Sequence, residues 1–239
     1  MAKPFRPVVL ITGANGGLGR ALVSEFAKQG WRICAAFRHE VLETNHRNVW
    51  PVQMDVTQSV QIATVVAQLL ARWGRVDALV NNAGVTDDAS CWQARTAAWE
   101  RVLEVNLKGA FLCSRAVLKP MLQQRDGHIL NVSSLAARSG PAGQSSYAAA
   151  KAGLIGLTQS LAKEVATDNV RVNAIMPGVM PTGMTAKLTP SQLKSLTMAN
   201  LLNRMNDVDE VARFMAFVAA MKNVSGQVFQ LDSRVIRWN

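Results

Sequence analysis

The sequence predicts an α/β fold, a three-layer, doubly wound domain built on a parallel sheet. Short apolar segments of strand length alternate with amphipathic segments of helical period along most of the chain. A glycine-rich turn follows the first apolar segment and opens the first helix. Because crossovers between parallel strands are right-handed, such alternation places helices on both faces of one sheet.

The predicted elements follow one another in a regular order. The strands are short, buried apolar runs: Val8–Thr12, Arg32–Phe37, Val49–Met54, Ala78–Asn81, His128–Val132, Val170–Met176 and Gln227–Leu231. The helices are amphipathic: Leu18–Gln29, Ser59–Trp73, Thr96–Gln124, Ser146–Ala166 and Asp207–Met221. The pattern loosens after Pro177, and residues 180–200 are predicted as a mobile lid. We therefore expect one domain over residues 1–239.

Composition restricts the function classes. The chain has 239 residues, of which 49% are hydrophobic and 18% charged, as in folded chains. The net charge is +10, yet no two of the 26 lysines and arginines are adjacent. This diffuse charge favours an acidic small molecule or an acidic partner surface over nucleic acid. No apolar run reaches the roughly 20 residues of a membrane span.

Three features of the sequence bear on its cellular compartment and on metal binding. The first apolar run is too short for a signal peptide, so we do not expect export. The three cysteines and three histidines are widely scattered, which argues against a disulfide framework and against a metal site. We expect a reduced, cytoplasmic protein without a protein-ligated metal.

The glycine-rich turn is the first motif that carries chemistry. Glycines at 13, 17 and 19 let the backbone turn tightly and approach a pyrophosphate, and the following helix offers free N–H groups to that anion. The turn therefore predicts a dinucleotide site of Rossmann type. The residues expected to line it are Gly13, Asn15, Gly16, Gly17, Leu18 and Gly19.

The end of the second strand distinguishes between two cofactors. An NAD site favours an acidic residue here to hold the ribose hydroxyls, but this chain carries Arg38, which would pair with the 2′-phosphate of NADP. The alternative is an ordinary surface arginine. NADP(H) is therefore favoured over NAD(H). Asp55 and Val56, after the third strand, are expected beside the adenine.

Small and amide residues end the fourth strand. Asn82, Ala83 and Gly84 can lie flat against a cofactor at the carboxyl edge of the sheet, although ordinary turn chemistry explains them as well.

Tyr147 and Lys151 are the catalytic candidates. They are four residues apart in one helix and so share a face. A phenol has a pKa of about 10, and a neighbouring ammonium together with a nicotinamide cation favours phenolate. Ser134 follows the preceding strand and can hydrogen-bond a substrate carbonyl. Without further motifs, an accidental helical pair would be the better explanation.

Taken together, these motifs resemble the short-chain dehydrogenase/reductase family over nearly the whole chain. The segments that match, in order, are TGANGGLG at 12–19, Asp55, NNAG at 81–84, Asn106, Ser134, YAAAK at 147–151 and Pro177-Gly178. The stretch 147–166 and the segment PGVMPTGM are most similar to the 3-oxoacyl-(acyl-carrier-protein) reductases.

The resemblance implies a catalytic tetrad. Tyr147 would donate the proton and Ser134 would orient the carbonyl. Lys151 would lower the pKa of the tyrosine and hold the nicotinamide ribose, and Asn106 would hold a water that links the lysine to solvent. Further residues implied at the cofactor are Pro177, Gly178 and Thr182, and Gln144 would touch substrate.

The chain departs from the family pattern at three places. Gly16 stands where many NADP-using relatives carry a basic residue. Asp232-Ser233-Arg234 replaces the usual Asp-Gly-Gly, which puts the C-terminal turn in doubt. Arg125 matches one of two arginines by which related reductases dock the acidic acyl carrier protein, but Asp168 occupies the other position.

The resulting prediction is an NADPH-dependent ketoreductase, acting on a 3-oxoacyl thioester linked to acyl carrier protein or coenzyme A. An NADP-dependent secondary-alcohol dehydrogenase and a non-catalytic NADP-binding regulatory protein are the alternatives. The resemblance also implies a homo-oligomer, either a tetramer or a dimer.

Overall fold

The computed structural model describes residues 6–39 and 42–235, apart from the side chain of Lys187. The strands are β1 (Val8–Thr12), β2 (Arg32–Phe37), β3 (Val49–Gln53), β4 (Ala78–Asn81), β5 (Gly127–Val132), β6 (Val170–Met176) and β7 (Val228–Gln230). The helices are α1 (Gly17–Lys28), α2 (Ser59–Trp73), α3 (Thr96–Leu103), α4 (Gly109–Gln124), α5 (Ala136–Ser139), α6 (Ser145–Val165), α7 (Pro190–Met198) and α8 (Val208–Ala220).

The seven strands form one parallel sheet in the order β3-β2-β1-β4-β5-β6-β7. Helices α1 and α8 cover one face, and α2, α4 and α6 cover the other. The predicted fold class is confirmed. The strand order reverses between β1 and β4, so the carboxyl ends of these strands border the crevice where doubly wound sheets bind ligands. The predicted domain limits, 1 and 239, lie outside the described residues.

The predicted helix Thr96–Gln124 is interrupted. A π-helical turn, Glu104–Lys108, separates α3 from α4. The side chain of Asn106 lies in this turn and bonds backbone groups of Val85 and Val102. These contacts account for the widened turn, and π-helical turns are frequent at functional sites. Helix α5 was not predicted because four residues are too few for a periodic pattern.

A chain of buried amides fixes α6 against the sheet. Asn81 at the end of β4 donates to Oδ1 of Asn131 in β5, at 2.8 Å. Asn131 in turn donates to the hydroxyl of Thr158 in α6, at 2.9 Å. Because buried polar groups are costly without partners, this chain allows one register of α6 on the sheet. The register sets the position of the residues in the first two turns of α6.

The C-terminal turn that departs from the family pattern forms a latch. The Arg234 guanidinium lies 3.5 Å from Asp232, and their side chains are only 8% and 3% exposed. Arg234 also donates to the backbone oxygen of Leu196 in the last turn of α7, at 2.6 Å. Ser233 accepts hydrogen bonds from Leu201 and Leu202. The turn therefore ties the segment around α7 to the end of the sheet.

We expect Arg234→Ala to lower the free energy of unfolding by about 3 kcal/mol, because the buried Asp232 carboxylate loses its cationic partner and keeps only neutral donors at Oδ1. Urea unfolding followed by circular dichroism measures this loss. The matched control is Arg213→Ala on α8, whose ion pair is exposed and long at 3.9 Å, and which should change the free energy by less than about 0.5 kcal/mol. Equal effects of the two variants would contradict the latch.

Candidate active site

Three glycines of the turn between β1 and α1 are packed so closely that a Cβ would collide with a neighbour. Gly13 has a φ of +63°, and a Cβ there would lie 2.9 Å from Cα of Ala83. A Cβ at Gly19 would lie 2.1 Å from the backbone oxygen of Gly13, and one at Gly17 would lie 2.9 Å from Cγ2 of Thr182. The first turn of α1 carries no acidic residue. Its positive end is therefore open to an anion.

The other predicted residues of this turn have different surroundings. Gly16 is exposed and precedes the first residue of α1, while Leu18 is buried in the core. Asn15 accepts a hydrogen bond from Arg20 at its backbone oxygen, at 2.9 Å. The backbone of the turn is therefore exposed at Gly16, and the side chain of Leu18 packs into the core.

Thr12 and Asn82 brace the two sides of the crevice. The Thr12 hydroxyl accepts hydrogen bonds from the backbone N–H groups of Asn82 and Ala83, each at 3.0 Å. The Asn82 amide donates back to the backbone oxygens of Thr12 and Gly13, also at 3.0 Å. This contact sets the separation between the glycine turn and the loop after β4.

Arg38 lies at the end of β2 and pairs with Asp55, with 2.9 Å between Nε and Oδ2. Partial burial acts to raise the pKa of Asp55, but hydrogen bonds from Thr57 and the charge of Arg38 outweigh it and lower the pKa. The predicted 2′-phosphate and adenine ligands are therefore neighbours, bonded to each other. Val56 is buried against Gly109.

Asn106 is buried and holds the segment that follows Asn82. Its Oδ1 accepts from the Val85 N–H at 3.0 Å, and its Nδ2 donates to the Val85 oxygen at 2.7 Å. A Cβ at Gly84 would lie 2.6 Å from that Oδ1 and 3.5 Å from Nζ of Lys151. The amide of Asn106 is thus engaged with backbone, next to the lysine.

Lys151 is a buried amine in the second turn of α6. Its Nζ donates to the backbone oxygen of Val132, the last residue of β5, at 2.7 Å. Only 3% of the residue is exposed. Burial disfavours the charged ammonium and lowers the pKa of Lys151 to about 8.

Tyr147 lies one turn before the lysine, with its ring centroid 5.6 Å from Nζ of Lys151. Burial raises the pKa of the Tyr147 phenol, a hydrogen bond with Ser134 acts to lower it, and the negative charge of Asp88 raises it further. The net direction is upward. The lowering expected from Lys151 together with a nicotinamide cation stays a prediction.

Two adjacent serines follow β5 and have different surroundings. Ser133 is buried, and its hydroxyl donates to the backbone oxygen of Lys151 at 2.8 Å. Ser134 is only partly buried, and its hydroxyl accepts from the Ala136 N–H at 3.2 Å. It lies close enough to Tyr147 to act on the pKa of the phenol. The structure therefore brings Ser134, Tyr147 and Lys151 together, whereas the Ser133 hydroxyl is engaged with the backbone of α6.

Gln144, the predicted substrate contact, bonds a residue that the sequence analysis missed. Its Nε2 donates to Oδ2 of Asp88 at 2.7 Å. Asp88 lies in the loop between β4 and α3, six residues after Asn82. Its position after a strand of the same parallel sheet was a signal, because such loops meet at the carboxyl edge.

The segment after β6 closes the crevice on its other side. Gly178 has a φ of +77°, and a Cβ there would lie 2.7 Å from Cβ of Asp232. The Pro177 oxygen accepts from Asn206 at 2.7 Å. Thr182 lies against Gly17, as described above, and so faces the glycine turn.

Arg125 lies apart from the other predicted residues. It ends α4 and precedes β5, at the amino edge of the sheet, whereas the catalytic candidates lie at the carboxyl edge. Its guanidinium is 3.4 Å from Asp168 and also donates to the backbone oxygen of Thr167 at 3.0 Å. The two positions of the expected docking pair are thus bonded to each other.

A family model for short chain dehydrogenases matches residues 7–193. The chain is a member of the short-chain dehydrogenase family. The 3-oxoacyl-[acyl-carrier-protein] reductase FabG of Thermotoga maritima is 39% identical, covering 96% of this chain and 97% of its own length. The 3-oxoacyl-[acyl-carrier-protein] reductase of Synechocystis sp. is 34% identical, covering 96% of each.

Solved structures agree with this family membership. ElxO with NADP bound has a TM-score of 0.89 and 27% identity, covering 96% of this chain and 98% of its own. Membership of the short-chain dehydrogenase family makes the chain an oxidoreductase that acts on alcohol or carbonyl groups. Within the part of the chain that the structure describes, no helix is both long and apolar enough to cross a bilayer.

We expect Lys151→Met to stabilise the fold at neutral pH by about 2 kcal/mol. A pKa lowered from 10.5 to about 8 corresponds to about 3 kcal/mol, and the lost hydrogen bond to Val132 offsets about 1 kcal/mol. The cost of charging Lys151 in the folded chain is fully present below its folded pKa. It disappears as the pH rises through 10.5, where the unfolded lysine loses its proton.

Urea unfolding at neutral and at alkaline pH measures this difference. The control is Lys163→Met, at an exposed position of the same helix, which should leave the free energy of unfolding within about 0.5 kcal/mol of wild type. A Lys151→Met variant that is less stable than wild type at neutral pH would show that burial of the amine carries no such cost.

Proposed function

We propose that the chain is an NADPH-dependent reductase that converts the keto group of a 3-oxoacyl thioester to a secondary alcohol. The observation that carries this proposal is the grouping of Tyr147, Ser134 and the buried Lys151 at the sheet edge that also holds the glycine turn. The names of the reductases from Thermotoga maritima and Synechocystis support the substrate class.

The residues at the crevice fit a phosphorylated dinucleotide. The glycine turn leaves the N-terminus of α1 open to a pyrophosphate. Arg38 contacts Asp55 through Nε, which leaves its terminal nitrogens able to bind a 2′-phosphate. ElxO, a structural neighbour, has been solved with NADP and, as a tyrosine variant, with NADPH. We therefore assign NADP(H) as the cofactor.

The proposed reduction adds a hydride and a proton across the carbonyl. The hydride to the carbonyl carbon would come from NADPH when it is bound. Tyr147 donates its phenolic proton to the carbonyl oxygen, and Ser134 hydrogen-bonds the same oxygen and orients it. Lys151 uses one of its N–H groups on Val132 and has others for the nicotinamide ribose.

The protonated form of Tyr147 is the form that carbonyl reduction needs. Burial and the Asp88 charge raise the pKa of the phenol, so the acid form needed to protonate a carbonyl predominates. Oxidation of a secondary alcohol would need the phenolate at the same site. A purely regulatory NADP-binding protein is the less favoured alternative, because Tyr147 and Lys151 are both present.

Partners and location follow from the same proposal. We propose an acidic acyl carrier protein as the carrier of the thioester, because the relatives' names include it and because Arg101, Arg115 and Lys119 are exposed along α3 and α4. If the carrier protein docked at Arg125, one of its carboxylates would replace Asp168 as the ion-pair partner of Arg125. We also propose a homo-oligomer, a tetramer or a dimer, and a cytoplasmic location, which suits three free cysteines.

We expect Tyr147→Phe to lower kcat for a 3-oxoacyl thioester by about 10²- to 10⁴-fold, the range of a lost general acid. The affinity for NADPH, measured by fluorescence titration, should stay within about twofold of wild type, because the phenylalanine keeps the ring and loses only the hydroxyl. A variant that retains the full rate would overturn the assignment of the proton donor.

We expect Arg38→Ala to weaken NADPH binding by about 10- to 100-fold, the loss of charge-assisted hydrogen bonds to a phosphate. NADH binding should change by no more than about twofold, since NADH has no 2′-phosphate. The control is Arg47→Ala, which removes an exposed arginine from the connection between β2 and β3. Isothermal titration with both cofactors separates these outcomes, and equal losses for NADPH and NADH would contradict the role of Arg38.

A further inference from the structure

The loop between β4 and α3 lies against the segment that leads into α6. Two hydrogen bonds join them. The Ala89 N–H donates to the backbone oxygen of Gly143 at 2.9 Å, and the Gln144 amide donates to Oδ2 of Asp88 at 2.7 Å. Gln144 is three residues before Tyr147, so this junction lies directly beside the catalytic helix turn.

The Asp88 carboxylate is held at both oxygens although the residue is exposed. The hydroxyl of Thr86 donates to Oδ1, and the Gln144 amide occupies Oδ2. A solvated surface aspartate has its hydrogen bonds to water, whereas these two hydrogen bonds hold the Asp88 carboxylate in one orientation. Its neighbour Asp87 lies elsewhere, at the edge of a cavity of about 130 Å³ that also borders Arg95 and Ser145.

The charge of Asp88 acts on the catalytic phenol. It raises the pKa of Tyr147, after the larger effect of burial and against the hydrogen bond from Ser134. On the phenol's own helix, Lys151 lies one turn away, whereas Lys163 and Glu164 lie in its last turns. Charged residues on the other elements packed near this part of α6 are Arg138 on α5, Asp87 in the same loop and Arg95 before α3.

We propose that Asp88 is a positioning residue of the active site, which fixes Gln144 three residues before Tyr147 and holds a negative charge at this junction. The proposal rests on the proposed function, because a protonated phenol is what carbonyl reduction requires. It assigns two separable tasks to one side chain. Asparagine at this position has no charge but can still accept the Gln144 hydrogen bond. Alanine has no charge and cannot accept the hydrogen bond.

The kinetic test compares Asp88→Asn with Asp87→Asn, a matched loss of one negative charge at the next residue. In the oxidation of a 3-hydroxyacyl thioester with NADP⁺, we expect Asp88→Asn to move the acidic limb of the kcat profile about half a pH unit lower, because phenolate forms more readily. Asp87→Asn should move it much less. Asp88→Ala should show the same shift and, in addition, a KM raised about fivefold by the loss of the Gln144 contact.

A second readout needs no substrate. Tyr147 is the only tyrosine of the chain, so tyrosinate ultraviolet absorbance reports this phenol alone, within the pH range in which circular dichroism shows a folded protein. At matched alkaline pH, Asp88→Asn should contain more tyrosinate than wild type and Asp87→Asn should not. This arm remains informative if wild type reduces no thioester, which would refute the proposed function and not the role of Asp88.

Two outcomes would overturn the proposal. One is an unchanged acidic limb and an unchanged tyrosinate fraction in Asp88→Asn. The other is an equal shift in Asp87→Asn, which would show that the effect comes from net charge and not from the fixed position of Asp88.

Discussion

The contact between Thr12 and Asn82 is the interaction on which the crevice depends. It joins the carboxyl ends of β1 and β4, the neighbouring strands between which the order of the sheet reverses. A side chain on Gly13 would separate these two ends, because its Cβ would meet Ala83 at 2.9 Å. The contact therefore positions both the glycine turn of the dinucleotide site and the loop after β4, which Asn106 holds at Val85.

Burial of the Lys151 amine costs folding free energy, and the other contacts of the fold must offset this cost. A lysine that is 3% exposed has one backbone acceptor in the described structure, and its pKa falls to about 8. The pKa of the Tyr147 phenol next to it is raised. An amine that is readily neutralised beside a phenol that keeps its proton is an arrangement suited to acid catalysis. The amide chain from Asn81 to Thr158 holds the helix that carries both groups.

Much of this architecture could be predicted, for physical reasons that also explain what could not. Strand β1 was predicted to the residue because a strand buried on both faces reads as a continuous apolar run. The π-helical turn at Asn106 was not predictable, since it follows from side-chain contacts with Val85, a residue distant in sequence. Asp88 was missed for the same reason, as no local pattern distinguishes it from Asp87.

The most direct test of the central claim is the loss of NADPH absorbance with acetoacetyl-CoA as substrate, with NADH measured in parallel. The account predicts steady turnover with NADPH and much slower turnover with NADH. NADPH that binds, as seen by its fluorescence, but is consumed no faster with acetoacetyl-CoA than without it would contradict the claim that this site reduces 3-oxoacyl thioesters.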